Sequence, residues 1–574
     1  MRTGVYQHTL SRTQPDFWEF AVRRTIAWTA TLLIFAASAI AQQPGAVSPP
    51  PLVVLLVVDQ MRADYVDRFS DQFVGGFARL LRDGAQFTEV HHAHAITATA
   101  AGHATLVTGV HPARHGIPAN AFWDRGSGML RYAAADDDAV IVGVPGDSGR
   151  SPLQLRREGI TEWLHTASPR SKVFAVSGKD RAAILMGGLD PDGAYWYNRT
   201  SAKFVTSSYY ADSLPAWVRT WNGTLPERRY LDLGWWRLLD STAYAVARED
   251  SFPPENRGRD FLFPHALGTG DSLPIESWPP DSLAAARDRL YGSPFSDAMV
   301  LEFARALFRQ EALGLDDAPD LLLISLSASD LVGHEFGPLS QETADTYFRL
   351  DRLLGTFFED LDVTVGEGNW TVVLTSDHGA PLIAEEYLRQ GIDAGRISLR
   401  GLQEVLVPLL QQGIFDFAIT SVPRVIVAPP FGLMIPFPPE TVSDEQMADL
   451  LDFVATGLRD VPWIVDAFTR EQLADTTATD NLFLPSYRRS YPADRTPDIA
   501  LLLKERYIIS VGLVVDHGTP YDYDTHVPLL LYGRGVPPAI IDGPVFSVDI
   551  APTLAALLGI DPPGDLDGQS IVEW

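Results

Sequence analysis

Five short apolar runs recur along the chain, and polar residues end each of them. They are "LVVLLVVD" (52–59), "SKVFAVSGKDR" (171–181), "DLLLISLSASD" (320–330), "WTVVLTSDHG" (370–379) and "YIISVGLVVDHG" (507–518). Continuous Val, Ile and Leu, without alternating polar residues, indicates strands that are buried on both faces of a parallel sheet. Amphipathic stretches between the runs predict helices. The pattern therefore predicts an α/β fold, a three-layer sandwich with a mostly parallel central sheet.

Two long regions interrupt this alternation of strands and helices. Residues from about 195 to 290 are rich in Trp, Tyr, Pro and Gly, and residues from about 384 to 500 include the proline-rich "APPFGLMIPFPPE". We expect both to be cap or insert regions within a single catalytic domain of residues 52–574.

The first 41 residues have the pattern of an export signal. Arg23 and Arg24 precede the apolar run "TIAWTATLLIFAASAIA", whose small residues end at Ala41, and a proline-rich linker (42–51) follows. The run is short for a membrane span. We therefore predict a signal peptide (1–41) and a periplasmic or secreted protein without stable membrane insertion after cleavage. An uncleaved anchor is the alternative.

The composition restricts the chemistry that the chain can perform. The formal net charge of −28 argues against nucleic-acid binding, because phosphate backbones would be repelled. The chain has no cysteine, so it forms neither disulfides nor thiolate metal sites. A transition metal would need His, Asp, Glu and hydroxyl ligands, which favours zinc-like chemistry. An anionic substrate would need local positive charge or a metal to offset the net negative charge.

Each apolar run has a charged or metal-ligating group at its carboxyl end. In open α/β sheets, sites form in the crevice outside these ends, so five converging runs predict one shared site. The groups are Asp59, Lys179 with Arg181, Asp330, Asp377 with His378, and Asp516 with His517.

The spacing of these residues predicts two metal ions. Asp330 and His334 are four residues apart and would share one face of a helical turn, where they could bind one ion. Asp377 and His378 are adjacent, so their side chains point apart and suit two different ions. Asp59 adds a carboxylate. One further histidine would complete two sites about 4 Å apart, as used in phosphoryl transfer.

The further histidine has two candidates. His517 directly follows an apolar run, whereas His526 lies just before the next one, "VPLLLYG". The strand-end argument favours His517, and His526 stays open as the alternative.

Other chemically suggestive residues are predicted to be structural. The segment "VPGDSGR" around Ser148 is similar to a serine-hydrolase motif but lacks the strand–turn–helix context of a nucleophile, so we predict a turn. The histidines of "HHAH" (91–94) are expected to be solvated or packed. His103 is expected to be structural, inside a helix.

The stretch "ITATAAGHATLVTG" (96–109) offers four threonine hydroxyls around the start of a predicted helix. Gly102 would let this helix pack closely, and Gly109 would end it. A threonine hydroxyl is a poor nucleophile until metal coordination lowers its pKa. At a helix N-terminus its phosphorylated form would also meet free backbone N–H groups.

Six ordered motifs resemble one enzyme family. The chain resembles the type I phosphodiesterase/nucleotide pyrophosphatase branch of the alkaline phosphatase superfamily, and most of all the phosphate-irrepressible alkaline phosphatases with a threonine nucleophile. The resemblance runs from about Leu52 to the C-terminal "IAPTLAALLGI". The motifs are "VVDQMRADY", "TATAAGHATLVTGVHPARHGIPAN", "SGKDRAAIL", "SASDLVGHEFG", "TSDHG" and "DHGTPYDYDTHVPLLLYG".

The resemblance implies roles for individual residues. Thr99 would be the nucleophile, and Asn120 would hydrogen-bond a phosphoryl oxygen. Lys179 and Arg181 would contact the remaining oxygens of a phosphate monoester, and diesterase members generally lack this pair. Two zinc ions per chain are implied, one bound by Asp330, His334 and His517, the other by Asp59, Asp377, His378 and the oxygen of Thr99.

The resemblance thus implies an exported, zinc-dependent alkaline phosphatase that hydrolyses small-molecule phosphate monoesters through a phosphothreonine intermediate; we expect a monomer. A phosphodiesterase or nucleotide pyrophosphatase on the same fold is the alternative. A sulfatase is disfavoured because the chain lacks cysteine, the usual precursor of the modified nucleophile. A non-catalytic binding protein would need a broken ligand set, whereas here every expected position is filled.

Overall fold

Strands and helices alternate along much of the chain in this computed structural model, which describes residues 48–572 except 145, 232, 269–274, 429–431, 478–480 and 511. The predicted signal peptide lies outside the described residues. The strands are β1 (Leu52–Val58), β2 (Ala85–His91), β3 (Ala121–Asp124), β4 (Met129–Tyr132), β5 (Ala135–Val142), β6 (Ser148–Arg150), β7 (Val173–Ser177), β8 (Gly193–Asn198), β9 (Lys203–Ser207), β10 (Asp320–Leu326), β11 (Trp370–Thr375), β12 (Gly395–Ser398), β13 (Ile426–Ala428), β14 (Gly432–Met434), β15 (Ile464–Thr469), β16 (Ile499–Leu503), β17 (Tyr507–Ser510), β18 (Leu529–Gly533) and β19 (Ala539–Phe546).

The α-helices lie between the strands and at the end of the chain. They are α1 (Asp64–Phe69), α2 (Gly76–Asp83), α3 (Thr99–Thr108), α4 (Pro112–His115), α5 (Ile160–Ala167), α6 (Asp180–Gly187), α7 (Ala216–Gly223), α8 (Arg228–Leu231), α9 (Pro280–Tyr291), α10 (Phe295–Gln310), α11 (Ala328–Phe336), α12 (Gln341–Leu361), α13 (Ala384–Arg389), α14 (Leu399–Asp416), α15 (Asp444–Arg459), α16 (Arg470–Ala474), α17 (Leu484–Ser490), α18 (Asp522–Thr525) and α19 (Ile550–Leu558).

Eleven of the described strands form one sheet, in the order β19-β2-β18-β11-β1-β10-β7-β8-β9-β5-β6. The five central strands, β11 to β8 in this order, are parallel to their neighbours. Antiparallel neighbours adjoin them on both sides: β18 pairs with β11 on one side, and β9 pairs with β8 on the other. The predicted α/β class is confirmed, and its parallel part is the centre of a mixed sheet.

The two faces of β1 explain why its sequence has no polar positions. Leu52, Val54 and Leu56 pack into a core with residues of α10 and α12. Val53 and Leu55 pack on the opposite face, into a core with residues of α5 and α19. Every residue of β1 is buried, as expected for a strand covered by helices on both sides. This is the three-layer sandwich that the sequence predicts.

The parallel register brings the carboxyl ends of the central strands to the same edge of the sheet. Val57 pairs with Ser325 of β10 and with Thr375 of β11, and Ser325 pairs in turn with Ser177 of β7. The residues that follow the ends of these four strands therefore lie side by side. Asp59, the first residue after β1, is one of them.

One predicted strand is not in this sheet. The run at 507–518 forms only the short strand β17, which pairs with β12 in a separate two-stranded sheet. The strand beside β11 is instead β18, from the apolar run after His526. The segment around Ser148 turns at Gly146 and Asp147, as predicted, and Ser148 itself then begins strand β6 at the sheet edge.

The region from about 384 to 500 has a core of its own. Strands β13, β14, β16 and β15 form a four-stranded sheet, and helices α14 and α15 pack with it through residues such as Leu406 and Leu450. From Pro49 onward the chain forms one compact unit. None of the described helices is long and apolar enough to cross a membrane. The cap role of the two long regions stays a prediction.

Candidate active site

The first group of candidate ligands joins helix α11 to a loop before α18. Asp330 and His334 lie one turn apart in α11, with His334 Nε2 3.1 Å from Asp330 Oδ1. His517 Nε2 lies 3.7 Å from the same oxygen. The ligand atoms of these three residues lie within 4.8 Å of one another. The predicted helical pair is confirmed, whereas His517 comes from a loop several residues beyond β17, not from a strand end.

The second group lies at the ends of β1 and β11. Asp59, Asp377 and His378 are fully buried, and their ligand atoms also lie within 4.8 Å of one another. His378 Nε2 is 3.5 Å from both Asp59 Oδ1 and Asp377 Oδ2. The rings of His378 and His517 stack with their centroids 3.6 Å apart, so the two groups are neighbours.

The three histidines have the same hydrogen-bonding arrangement. Each Nδ1 faces a backbone carbonyl: His334 that of Val515 at 2.6 Å, His517 that of Thr97 at 2.7 Å, and His378 that of Gly379 at 3.0 Å. A carbonyl only accepts, so each Nδ1 carries a proton and Nε2 is the ring nitrogen that can bind a metal. This is the way in which outer residues orient metal-binding histidines.

Unpartnered polar atoms show that the second group fits a cation. Asp59 Oδ1, Asp377 Oδ2 and His378 Nε2 are buried and have no hydrogen-bond partner among the described residues. Burial, and then the neighbouring carboxylates of Asp330 and Asp377, raise the pKa of Asp59 well above its usual range. A divalent ion would satisfy these atoms and relieve the repulsion, and a set of nitrogen and oxygen ligands suits zinc.

The histidine pKa values differ between the ligand positions. Burial, with His378 and His334 nearby, lowers the pKa of His517 to about 3, so its imidazole is neutral at neutral pH. Burial alone would also lower the pKa of His334, but Asp330 reverses the effect and raises it to about 9. Because a metal ligand must be neutral, we expect metal binding at the first group to release a proton.

The predicted nucleophile begins helix α3 beside this cluster. Thr99 is the first residue of the helix, after Ala98 in extended conformation. Arg181 Nη2 donates to Thr99 Oγ1 at 3.3 Å. Asn120 Oδ1 accepts from the backbone N–H of Ala100 at 2.9 Å, which holds the Asn120 side chain at the start of α3. The helix ends at Gly109 in left-handed conformation, as predicted.

Lys179 lies between the two ligand groups. Its Nζ is 2.5 Å from Asp59 Oδ2 and 2.5 Å from Asp330 Oδ2, one carboxylate of each group. The residue is buried and precedes helix α6, whose second residue is Arg181. The structure therefore brings Thr99, Lys179, Arg181 and both candidate metal groups to one edge of the sheet.

Gln60 is a residue of the site that sequence reasoning missed. Its backbone N–H donates to Asp377 Oδ1 at 3.1 Å and its Nε2 donates to Asp330 Oδ1 at 2.9 Å, so it joins the two groups. It has a positive φ of 65° and packs where Gly333 has no Cβ. Glutamine neither titrates nor commonly binds metal, and its partners are about 300 positions away, so no local signal identifies it.

His103, expected to be structural, contacts the site directly. Its Nδ1 donates to the carbonyl of Thr99 at 2.8 Å and lies 3.2 Å from Asp377 Oδ2, and its Nε2 is 2.9 Å from Ser325 Oγ. It thus connects the start of α3 to the second ligand group. His526 is not part of either group, because it lies with His91 and Asp522.

Known proteins similar to this chain include several alkaline phosphatases. Residues 53–511 match the type I phosphodiesterase / nucleotide pyrophosphatase family. The chain is 32% identical over 557 residues to alkaline phosphatase PafA of Elizabethkingia meningoseptica, with 95% of this chain and 98% of that protein covered. It is also 32% identical over 541 residues to alkaline phosphatase PhoV of Synechococcus elongatus, with 92% and 94% covered.

Solved structures extend the similarity to three dimensions. The crystal structure of PafA matches with a TM-score of 0.83 at 31% identity, covering 92% of this chain and 99% of that chain. A PafA variant substituted at one threonine, one asparagine, one lysine and one arginine matches at 31% identity with a TM-score of 0.81 and the same coverage. The first two substituted positions are 21 residues apart and the last two are two apart. Thr99 and Asn120, and Lys179 and Arg181, are separated by the same intervals.

Proposed function

The chain belongs to the type I phosphodiesterase/nucleotide pyrophosphatase family, and we propose that it is an exported alkaline phosphatase that hydrolyses phosphate monoesters with two zinc ions and a phosphothreonine intermediate. The observation that carries this proposal is one convergence of residues. A threonine at a helix start, two groups of buried metal ligands and two cations meet at the carboxyl edge of the sheet. The matching intervals of the substituted positions in PafA support the choice of Thr99, Asn120, Lys179 and Arg181.

The two ligand groups would each hold one zinc ion. Asp330, His334 and His517 would hold the first, and Asp59, Asp377 and His378, with Thr99 Oγ1, the second. Zinc ions in such a site act as Lewis acids that lower the pKa of a coordinated hydroxyl and offset charge on a phosphoryl group.

The chain's own residues would bind and orient the phosphoryl group. Thr99 Oγ1 gives up its proton to solvent and attacks phosphorus; the new P–O bond forms as the ester P–O bond breaks, and the leaving group departs with its oxygen, which takes up a proton from solvent. Arg181 already donates to Thr99 Oγ1 and would donate to a nonbridging oxygen as well. Asn120 Nδ2, fixed by the Ala100 hydrogen bond, would donate to another. Water then hydrolyses the phosphothreonine, which releases phosphate and restores the hydroxyl.

Lys179 gives the site its preference for monoesters in this proposal. A monoester dianion has one more negative charge and one more nonbridging oxygen than a diester. Lys179 and Arg181 bring two positive charges to the site in a chain whose net charge is −28. Charge-assisted hydrogen bonds to the extra oxygen would therefore favour the monoester over the diester.

Replacing the nucleophile tests the proposal directly. We expect Thr99→Ala to lower kcat for an aryl phosphate monoester by about 10³-fold or more, because the attacking oxygen is lost. Metal analysis of the same protein should still find close to two zinc ions per chain, because three protein side chains remain in each group. Thr99→Ser is the matched control, since it retains a hydroxyl and should retain turnover. A Thr99→Ala protein as active as the wild type would exclude this nucleophile.

A side-by-side assay tests the substrate and the metal. The wild type should hydrolyse the aryl monoester faster than the corresponding diester and aryl sulfate, and a chelator should abolish all of this activity until zinc is restored. A faster diester reaction would assign the chain to the diesterase side of its family. Full activity after verified removal of the metal would contradict the metal proposal.

A further inference from the structure

A second cluster of metal-ligating side chains lies away from the proposed active site. His91, Asp522 and His526 have ligand atoms within 4.8 Å of one another. His91 is the last residue of β2, and His526 follows helix α18 directly. None of these residues has a role in the proposed hydrolysis.

Backbone pairing explains why the two histidines meet. His91 and His526 form an antiparallel bridge. The flanking hydrogen bonds run from His92 N to the Thr525 carbonyl and from Val527 N to the Val90 carbonyl, both at 3.0 Å. The two histidines are therefore a non-hydrogen-bonded pair, the cross-strand position at which side chains come closest. Their rings stack with centroids 4.6 Å apart.

The third ligand is placed by a single helical turn. Asp522 and His526 are four residues apart, and the N–H of His526 donates to the carbonyl of Asp522 at 2.8 Å. This spacing puts the two side chains on the same side of the turn. His91 Nδ1 lies 3.9 Å from Asp522 Oδ1 across the gap.

The tautomer of His526 also suits ligation. His526 Nε2 lies 2.8 Å from the carbonyl of Thr88, so it carries the proton and leaves Nδ1 with its lone pair. The three active-site histidines use the same device through the other ring nitrogen. Asp522 is 79% exposed and His91 27% exposed, which gives an ion a path from solvent.

We propose that His91, Asp522 and His526 form a third, structural site for a divalent transition-metal ion, with zinc as its occupant. Two imidazoles and one carboxylate are a ligand set that zinc accepts, with water completing the tetrahedron. The ion would cross-link the end of β2, through His91, to the α18 turn, through Asp522 and His526. In that turn, Asp524 Oδ2 accepts from the backbone N–H groups of Gly518 and Thr519, next to His517. The site thus steadies the segment that carries an active-site histidine.

The test counts metal in the holoenzyme. Protein with its active-site ions in place is dialysed against micromolar zinc, and bound zinc is measured by elemental analysis. We expect about one more zinc per chain in the wild type than in His526→Ala, and a zinc-dependent rise in Tm that the variant lacks. Equal zinc content and equal Tm shifts in the two proteins would overturn the proposal.

Two further variants keep the test decisive. Asp522→Asn alters only an exposed side chain, so it tests the site even if His526→Ala does not fold, and we expect zinc affinity at this site to fall at least about tenfold. His165→Ala is the matched control, because His165 also faces carboxylates, Asp190 and Asp192, without a second histidine. It should bind as much zinc as the wild type.

The zinc-content test of the third site gives a result that does not depend on whether the protein is a phosphatase. The third site concerns zinc bound in excess of the active-site ions, and Asp377→Ala should reduce only the active-site content. An inactive wild type that still loses one zinc equivalent through His526→Ala would leave the third site standing while the proposed function fails.

Discussion

At the scale of single residues, the two cations after β7 separate monoester from diester chemistry. We predict that the double substitution Lys179→Ala, Arg181→Ala lowers kcat/KM for an aryl monoester by about 10²- to 10³-fold, because charge-assisted donors to the extra oxygen are lost. The corresponding diester should lose much less. Steady-state kinetics on both substrates measure the ratio.

The opposite end of the same strand offers a matched control. Arg170 and Lys172 have the reverse order and the same spacing before β7, where they contact Asp317 and the carbonyl of Glu311. Replacing both by alanine should leave the ratio of monoester to diester rates unchanged. Equal losses of the two activities in the Lys179 and Arg181 variant would contradict their proposed selectivity.

Gln60 acts through the carboxylates that it contacts. Gln60→Ala removes the donor to Asp330 but keeps the backbone donor to Asp377. Because outer partners typically contribute 10- to 100-fold to metal affinity, we predict about a tenfold weaker affinity at the first ligand group. Competition with a chromogenic chelator measures it.

The control for this prediction is a second glutamine away from the site. Gln86, on β2, donates to the carbonyl of Leu81 at 3.0 Å. Gln86→Ala should leave metal affinity as in the wild type. Were Gln60→Ala to bind metal with unchanged affinity, Gln60 would be only a packing residue.

At the scale of elements, the small residues of α3 let the helix lie against the loop that carries Asp377. A Cβ added at Gly102 would lie 2.8 Å from Asp377 Cβ and would overlap the carbonyl of the same residue. Gly→Ala within a helix normally stabilises by about 0.5–1 kcal/mol. We predict instead that Gly102→Ala lowers both Tm and bound metal, because the Asp377 loop must move.

Gly401 in α14 is the matched control for this substitution. Its added Cβ would meet no atom closer than Ser398 Oγ at 3.5 Å, an ordinary contact. Gly401→Ala should therefore keep Tm at or above the wild-type value, with full metal content. A Gly102→Ala protein that behaves like Gly401→Ala would show that the loop adapts without loss.

The sequence predicted those elements whose own residues decide their structure. The runs of β1, β7, β10 and β11 are apolar without interruption, so burial on both faces could be inferred from each alone. Helix α12 covers the whole of the amphipathic stretch "QETADTYFRLDRLLGTFFEDL" between two of these runs. The run at 507–518 is also apolar, but its pairing with β12 depends on a partner over 100 positions away, and local composition does not encode that choice.

At the scale of the whole molecule, the sequence predicted those site residues that directly follow strands of the central sheet. Asp59, Asp330 and Asp377 had to meet because parallel strands share an edge. From the sequence, either His517 or His526 could be the third histidine ligand, because His517 directly follows one apolar run and His526 directly precedes another. The structure places His517 with Asp330 and His334, and pairs His526 with His91 across strands. That pairing is tertiary information, as is the bridge made by Gln60.

Buried neutral histidines give the whole molecule a predictable acid limit. His115 Nδ1 accepts from the N–H of Ile117 at 3.2 Å, and Nε2 lies 3.1 Å from Thr105 Oγ1, which itself donates to a carbonyl. Protonation of Nδ1 would therefore place its N–H against the N–H of Ile117, so that two donors would face each other. Burial, and then repulsion from His111, lower the pKa of His115 to about 3 from its ordinary value of 6.5.

The sign of the pH effect follows from this depressed pKa. Between pH 6.5 and about 3 the unfolded chain binds a proton at His115 that the folded chain does not. The free energy of unfolding therefore falls as the pH falls, by about 1.4 kcal/mol per pH unit for this residue. His115→Asn should flatten the slope by about one proton, as measured by denaturant titrations at several pH values.

His165 provides the opposite sign on the same protein. Its hydrogen bond to Asp192 raises the pKa of His165 above 6.5, so its contribution to stability is present at acid pH and is lost as the pH rises through the folded pKa. His165→Asn should therefore remove a gain in stability that appears as the pH falls towards 6.5, and leave the slope just below pH 6.5 as in the wild type, whereas His115→Asn makes that slope shallower. If both variants flattened the slope just below pH 6.5, neutral burial of His115 would not be the source of the acid limit.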